Sequence, residues 1–186
     1  NKPCKWCHRW MRVPLLCLLA ACTAGSHAQV PGSYDTTFGS TNGYLPALAI
    51  GSNDSDRATA LALQPDGKIV MAGTCSATLG SRMCLARLLP DGTLDASFVG
   101  PNSTPGNGKF LMTVAGSLAA EVSTMVLQPD GKILVAGTCS DRFCIARLNE
   151  NGTFDTTFIG PAGTSSGDFS FSISVAAKDT LYGMAL

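Results

Sequence analysis

After Gln29 the hydrophobic positions fall in runs of six to eight residues, filled with β-branched and other apolar side chains. Each run closes at a small cluster of Gly, Pro, Asp or Asn. No stretch sustains a 3.6-residue period, so the pattern predicts strands and turns and no helix beyond the leader. Four successive runs illustrate it: 109–115 (KFLMTVA), 121–127 (EVSTMVL), 132–139 (KILVAGTC) and 143–148 (FCIARL). Gly116-Ser117 parts the first two. Pro129-Asp130-Gly131 parts the second and third, and Pro65-Asp66-Gly67 stands in the same place one unit earlier. Pro presets φ there, Asp bonds its own backbone and Gly accepts a positive φ. Asn151-Gly152 follows the fourth run, and Asp91-Gly92 matches it in the unit before; both are strong turn signals.

The pattern is an internal repeat. GSYDTTF at 32–38 returns as GTLDASF at 92–98 and as GTFDTTF at 152–158, a step of 60 residues each time. LQPDGKI at 63–69 returns at 127–133, AGTCS at 72–76 returns at 136–140, and CLARL at 84–88 returns as CIARL at 144–148. Each unit reads as four short antiparallel strands, and one such sheet cannot bury both of its faces. Stacking successive sheets buries them. The expected fold is therefore all-β: a repeat architecture of consecutive four-stranded antiparallel blades of an incomplete β-propeller. It covers 29–186, with a partial unit at 29–56, full units at about 57–116 and 117–176, and a partial unit at 177–186. The stretch 182–186 aligns with 60–63, just ahead of the next expected Q-P-D-G-K, so further repeat units of the same chain are expected beyond it. Roughly two and a half units do not close a ring of about four to eight blades. Open sheet faces would make such a stack prone to aggregate.

The combination L-Q-P-D-G-K-I-x-x-A-G, then A-R-L, then D-G-T-x-D-x-x-F resembles the delta-60 repeat of bacterial secreted proteins, a repeat expected to form β-propellers. The resemblance spans about residues 29–186, with two full copies and two partial ones. It implies architecture and export more than any activity. The cysteine pair in each full unit departs from the general pattern.

The first 28 residues read as an export signal. Four bases and no acid precede residue 13, an apolar run follows at 13–21 (VPLLCLLAA), and Ser26-His27-Ala28 offers a cleavage site before Gln29. Met11 would make a better start than Asn1, which makes 1–10 a candidate misread upstream extension. The apolar run is too short to span a bilayer, so no transmembrane span is expected in the mature chain. Leu19-Ala20-Ala21-Cys22 also resembles a lipobox, in which Cys22 would carry lipid; the expected location is secreted or periplasmic, with a lipid anchor as the alternative. Beyond the leader, nine bases face thirteen acids. That mildly acidic body argues against nucleic acid as a partner.

In an exported chain, Cys75 with Cys84 and Cys139 with Cys144 read as two local disulfides, each closing a hairpin and contributing about 2–3 kcal/mol. The rival is a four-thiolate metal site, which the side-by-side repetition of equivalent positions disfavours. Cys4-Lys5-Trp6-Cys7-His8 spells a haem-attachment pattern, but it lies upstream of the apolar run, in the part discarded on export. The only histidines are His8 and His27, both in the leader, so the body offers no His-based triad or metal site. Asp35, Asp95 and Asp155 recur once per unit, as do Asp66 and Asp130, and that repetition argues for structural roles. Asp95 and Asp155 are expected to pair with Arg87 and Arg147. Asn53-Asp54-Ser55-Asp56 gathers oxygen ligands that would suit Ca²⁺, but the matching stretches 117–120 and 175–178 lack the acids. A solvated loop is the expected reading. N-x-S/T triplets start at Asn53, Asn102 and Asn151. No cofactor and no metal is expected. The leading functional expectation is an exported, non-catalytic scaffold or recognition module for an unknown extracellular or periplasmic ligand. The alternatives are an exported carboxylate-based hydrolase or lyase, and the repeat region of a larger surface-anchored protein.

Overall fold

A computed structural model describes residues 32–39, 43–52, 55–101, 106–161, 163, 166–173 and 178–185. The leader with Cys22, the haem-like pattern and both histidines, as well as Asn53, Asp54 and Asn102, lie outside the described residues.

The described residues form eight strands and no helix. The first sheet holds β1 (Arg57–Leu63), β2 (Ile69–Ser76), β3 (Ser81–Leu88) and β4 (Lys109–Met112) in that order. The second holds β5 (Ala120–Leu127), β6 (Ile133–Cys139), β7 (Arg142–Leu148) and β8 (Asp168–Phe171). All neighbours are antiparallel. The described residues thus form an all-β stack of two propeller-type blades that does not close into a ring. Lys109–Met112 does not open a unit with 121–148, the grouping in which the four runs were first read; it pairs with β3 and is the outer strand of the preceding sheet. A repeat of four alternating strands has no marked first strand, and only the pairing sets the phase.

Local chemistry explains the turns. Gly67 donates its amide to the Gln64 carbonyl at 2.9 Å, Gln64 donates to the Lys68 carbonyl at 2.8 Å, and the Lys68 amide donates to Asp66 Oδ1 at 3.1 Å. Gln128, Asp130, Gly131 and Lys132 repeat this network. Gly67 and Gly131 both take φ of +82°, where a Cβ would be strained. The β6–β7 hairpin turns differently. Ser140 and Asp141 have φ of +47° and +66°, the two left-handed residues of a type I′ turn, here without glycine.

One core lies between the sheets. Val70, Ala72, Met83, Leu85, Phe110 and Met112 form a single face of the first sheet, because partners across an antiparallel ladder share a face. Met125, Ile133, Val135, Cys144, Ala146 and Leu148 form the opposing face of the second. β5 runs across β1, β2 and β3. Burial of these side chains drives the stacking at roughly 25 cal/mol per Å² of apolar surface.

Candidate functional site

The charged residues that repeat come together at one end of each sheet. Asp95 Oδ1 accepts the Ser97 amide at 3.0 Å and its hydroxyl at 2.6 Å, while Asp95 Oδ2 accepts Arg87 Nε at 2.9 Å. Lys68 stands 3.7 Å from the same carboxylate and 2.9 Å from Asp66. Arg87 also donates to Ser97 Oγ at 3.0 Å and reaches the Glu150 carbonyl in the next unit's turn. Its guanidinium carbon lies 4.6 Å from the centre of the Phe98 ring. The second unit repeats the set. Arg147 Nε donates to Asp155 Oδ2 at 2.7 Å, Thr157 replaces Ser97, Lys132 replaces Lys68, and Phe158 lies 4.6 Å beneath the guanidinium.

These contacts decide the protonation of the acids. Burial pushes the Asp95 carboxyl up, but the Ser97 hydroxyl and amide, with Arg87 and Lys68, hold it below the usual carboxylate range. For Asp155 the Thr157 hydroxyl is the main cause of the same downward shift, against burial. Asp66 and Asp130 are lowered chiefly by hydrogen bonds from Lys68 and Lys132. A carboxylate held ionised in this way accepts hydrogen bonds and has no proton to donate near neutrality. The cluster can therefore tie strand to loop and loop to the next unit. Among the described residues, no group of three or more His, Cys, Asp or Glu gathers where a metal ion could bind.

The tie to the next unit has a steric half. The Phe98 ring covers Gly152, whose added Cβ would come within 2.9 Å of Phe98 Cε2 at a φ of +90°. One unit earlier, Phe38 covers Gly92 in the same way, at 3.2 Å. The amides follow suit: Gly39 donates to the Asp91 carbonyl at 2.8 Å, and Val99 donates to the Asn151 carbonyl at 2.9 Å. Asn151 also holds its own turn, its Oδ1 accepting the amide and hydroxyl of Thr153.

Cys75–Cys84 and Cys139–Cys144 are disulfides, with Cα separations of 5.9 and 5.7 Å. Bonded pairwise within their own hairpins, the four sulfurs do not form the rival thiolate metal site. Asp56 is a structural acceptor. Its Oδ2 takes the amides of Ile50 and Gly51 at 2.6 and 2.8 Å, and Oδ1 takes that of Ser76 at 3.2 Å. Burial raises its pKa, but these amides outweigh it and the net direction is downward. The acid-free alignment with 175–178 needs correcting by one residue. Asp179 follows Ile173 as Asp56 follows Ile50, and its Oδ2 accepts the Ile173 amide at 3.0 Å. In the middle unit Ala120 takes the acid's place, and Asp168 of the next blade accepts the Ala115 amide instead. The composition of the loop alone does not show this exchange of partners.

Two apolar hollows flank the stack. One, of 270 Å³, is lined by Ala47, Leu48 and Ile50 against Met71, Cys75 and Cys84. The other, of 580 Å³, is lined by Phe143, Ile145, Phe169, Phe171, Ile173 and Leu181.

A family model described as a beta-propeller domain of unknown function (DUF5122) matches residues 64–98 and 128–158. These stretches hold the turn, the disulfide hairpin and the Arg–Asp tie of each unit. The chain carries β-propeller-type repeats. No curated protein matches it. In these repeats, no helix among the described residues is long and apolar enough to cross a membrane.

Proposed function

We propose that this chain is an exported, non-catalytic β-propeller-type module of the delta-60 kind that serves as a scaffold or recognition surface for an extracellular or periplasmic ligand. One observation carries the reading. The charged residues that recur in both full units tie strand to loop within each unit, Arg87 also reaches the next unit's turn, and the carboxylates are held ionised. The loops at the strand ends are then free to vary, which is how a rigid scaffold displays binding residues. The Arg87–Asp95 and Arg147–Asp155 pairs, and the Pro-Asp-Gly turns, have structural roles in this proposal. Two hairpin disulfides support an oxidising compartment, and 1–28 supplies the export signal.

The test is where the protein goes and how it begins. The chain is expressed in a host with a two-membrane envelope, and the product is fractionated and weighed by mass spectrometry. The expected product lies outside the cytoplasm, starts at Gln29 and has both disulfides formed. A lipid mass on Cys22 would replace secretion by anchoring. An uncleaved cytoplasmic protein with free thiols overturns the proposal.

A further inference from the structure

Two Asn-Gly dipeptides lie wholly among the described residues, Asn107-Gly108 and Asn151-Gly152. Asn-Gly is the dipeptide most open to attack by the glycine amide nitrogen on the asparagine side-chain carbonyl carbon, because glycine has no Cβ to obstruct the approach. The two sites begin alike. Both asparagines are exposed, and both glycines are buried at a positive φ, +80° for Gly108 and +90° for Gly152. Each asparagine closes an Asx turn: Asn107 Oδ1 accepts the Lys109 amide at 3.2 Å, and Asn151 Oδ1 accepts the Thr153 amide at 3.1 Å.

They differ at the attacking nitrogen. Gly152 donates its amide to the Asn149 carbonyl at 2.9 Å, and its nitrogen must give up that bond before it can lose its proton. The Asn151 side chain is held a second time, by the Thr153 hydroxyl at 2.8 Å, and the Phe98 ring covers the glycine. Gly108, by contrast, donates to no backbone carbonyl among the described residues. The cause lies across the ladder. The Gly108 carbonyl accepts the Arg87 amide at 2.8 Å, but the Arg87 carbonyl, which would take the return bond, accepts the Asp95 amide at 2.9 Å. The backbone tie that fixes Asp95 beside Arg87 thus uses up the acceptor that Gly108 would have had. The second unit repeats this, with the Arg147 amide on the Gly167 carbonyl and the Asp155 amide on the Arg147 carbonyl. There Ser166 precedes the glycine, and it has no carboxamide to attack.

We infer that Asn107 is a site of spontaneous deamidation in the folded chain, while Asn151 is protected. The Gly108 nitrogen forms a bond to Asn107 Cγ, and the Cγ–Nδ2 bond breaks. The Gly108 proton passes through water to Nδ2, which leaves as ammonia. Water then opens the cyclic imide at either carbonyl, giving aspartate or isoaspartate; no oxidant or reductant takes part. Isoaspartate would add a methylene to the main chain directly before Gly108, whose carbonyl holds β4 against β3, and before Lys109, whose ammonium reaches the Ala49 carbonyl. The outer edge of the first blade is therefore the part of the fold that ages. The inference is independent of export and of any ligand.

The test incubates the disulfide-bonded chain at mildly alkaline pH, once folded and once in urea, and follows both asparagines by peptide mass spectrometry. Comparing each site with itself removes the effect of its neighbours in sequence. Folding should slow the reaction about tenfold at Asn151, the cost of giving up one amide hydrogen bond, and leave the rate at Asn107 nearly unchanged. Fragment ions should show isoaspartate at 107. Asn107→Gln, which would have to close a larger and slower ring, should stop the mass gain in that peptide and leave the rate at Asn151 as it was. Equal slowing at the two sites, or stronger slowing at Asn107, overturns the proposal. A mass gain that persists in Asn107→Gln also sinks it, because the reaction would then lie at another residue of the same peptide.

Discussion

Arg87 and Arg147 make the same ion pair, with the same hydroxyl neighbour and the same ring beneath, yet they stand in different surroundings. Arg87 is sealed by the second blade and also bonds the Glu150 carbonyl; Arg147 faces the open end of the stack. Identical sequence therefore carries different energy, because the cost of breaking an ion pair depends on whether water can replace the lost partner. Arg87→Ala should destabilise by about 3–5 kcal/mol, since it leaves Asp95 buried without its guanidinium. Arg147→Ala should cost about 1–2 kcal/mol. Urea denaturation of the two variants measures both values, and equal losses would show that the tie within each unit outweighs the contact between units. Neither substitution should alter binding of any ligand held by the loops.

The steric half of the tie allows a second comparison. Gly152→Ala sets a Cβ against the Phe98 ring at a left-handed φ and should cost about 2–4 kcal/mol. Gly92→Ala meets the less buried Phe38 and should cost less, which thermal unfolding of both variants would show. The disulfides come next. Loop-closure entropy predicts about 3 kcal/mol for the Cys75–Cys84 bridge and about 2 kcal/mol for Cys139–Cys144, read from the paired Cys→Ala variants.

Acid should act on both units together. The folded Asp95 and Asp155 carboxyls lie below the ordinary value of 3.8, so the stability they supply is present above that value. It is lost as pH falls through the depressed folded values. The denaturation midpoint should stay flat with respect to these groups from neutrality to about pH 5 and fall below about pH 4. Asp95→Asn should weaken that fall. The smallest effect is a gain. Asp141→Gly relieves a left-handed non-glycine residue and should stabilise by about 0.5–1 kcal/mol in the same denaturation experiment.

Features of the fold that depend on few neighbouring residues were legible in the sequence. Pro65, Asp66 and Gly67 act within one turn, so their types suffice to forecast it. The cysteine pairing was legible because each pair brackets a single hairpin. The phase of the blades was not, since 109–112 has apolar neighbours on both sides and only the ladder with β3 assigns it. The Ser140-Asp141 turn escaped because neither residue is the glycine or asparagine that marks type I′ turns. The bond from Arg87 to Glu150 spans 63 residues and uses a backbone carbonyl, which no side-chain pattern records. The exchange of Ala120 for Asp168 was hidden for a similar reason: the donor stayed in place while its acceptor moved to another strand.

The disulfide hairpins bear on how such a chain can change over generations. Beyond each bridge the two loops differ in length, with the cysteines 9 residues apart in one and 5 in the other. Below the bridge the ladders are the same, Gly73 opposite Cys84 and Gly137 opposite Cys144. The cross-link acts as a collar that keeps an insertion at the tip from shifting the strands beneath it. Each blade thus has one rim site where residues can be gained, lost or diversified while the rest of the repeat keeps its sequence, and novelty can accumulate there unit by unit.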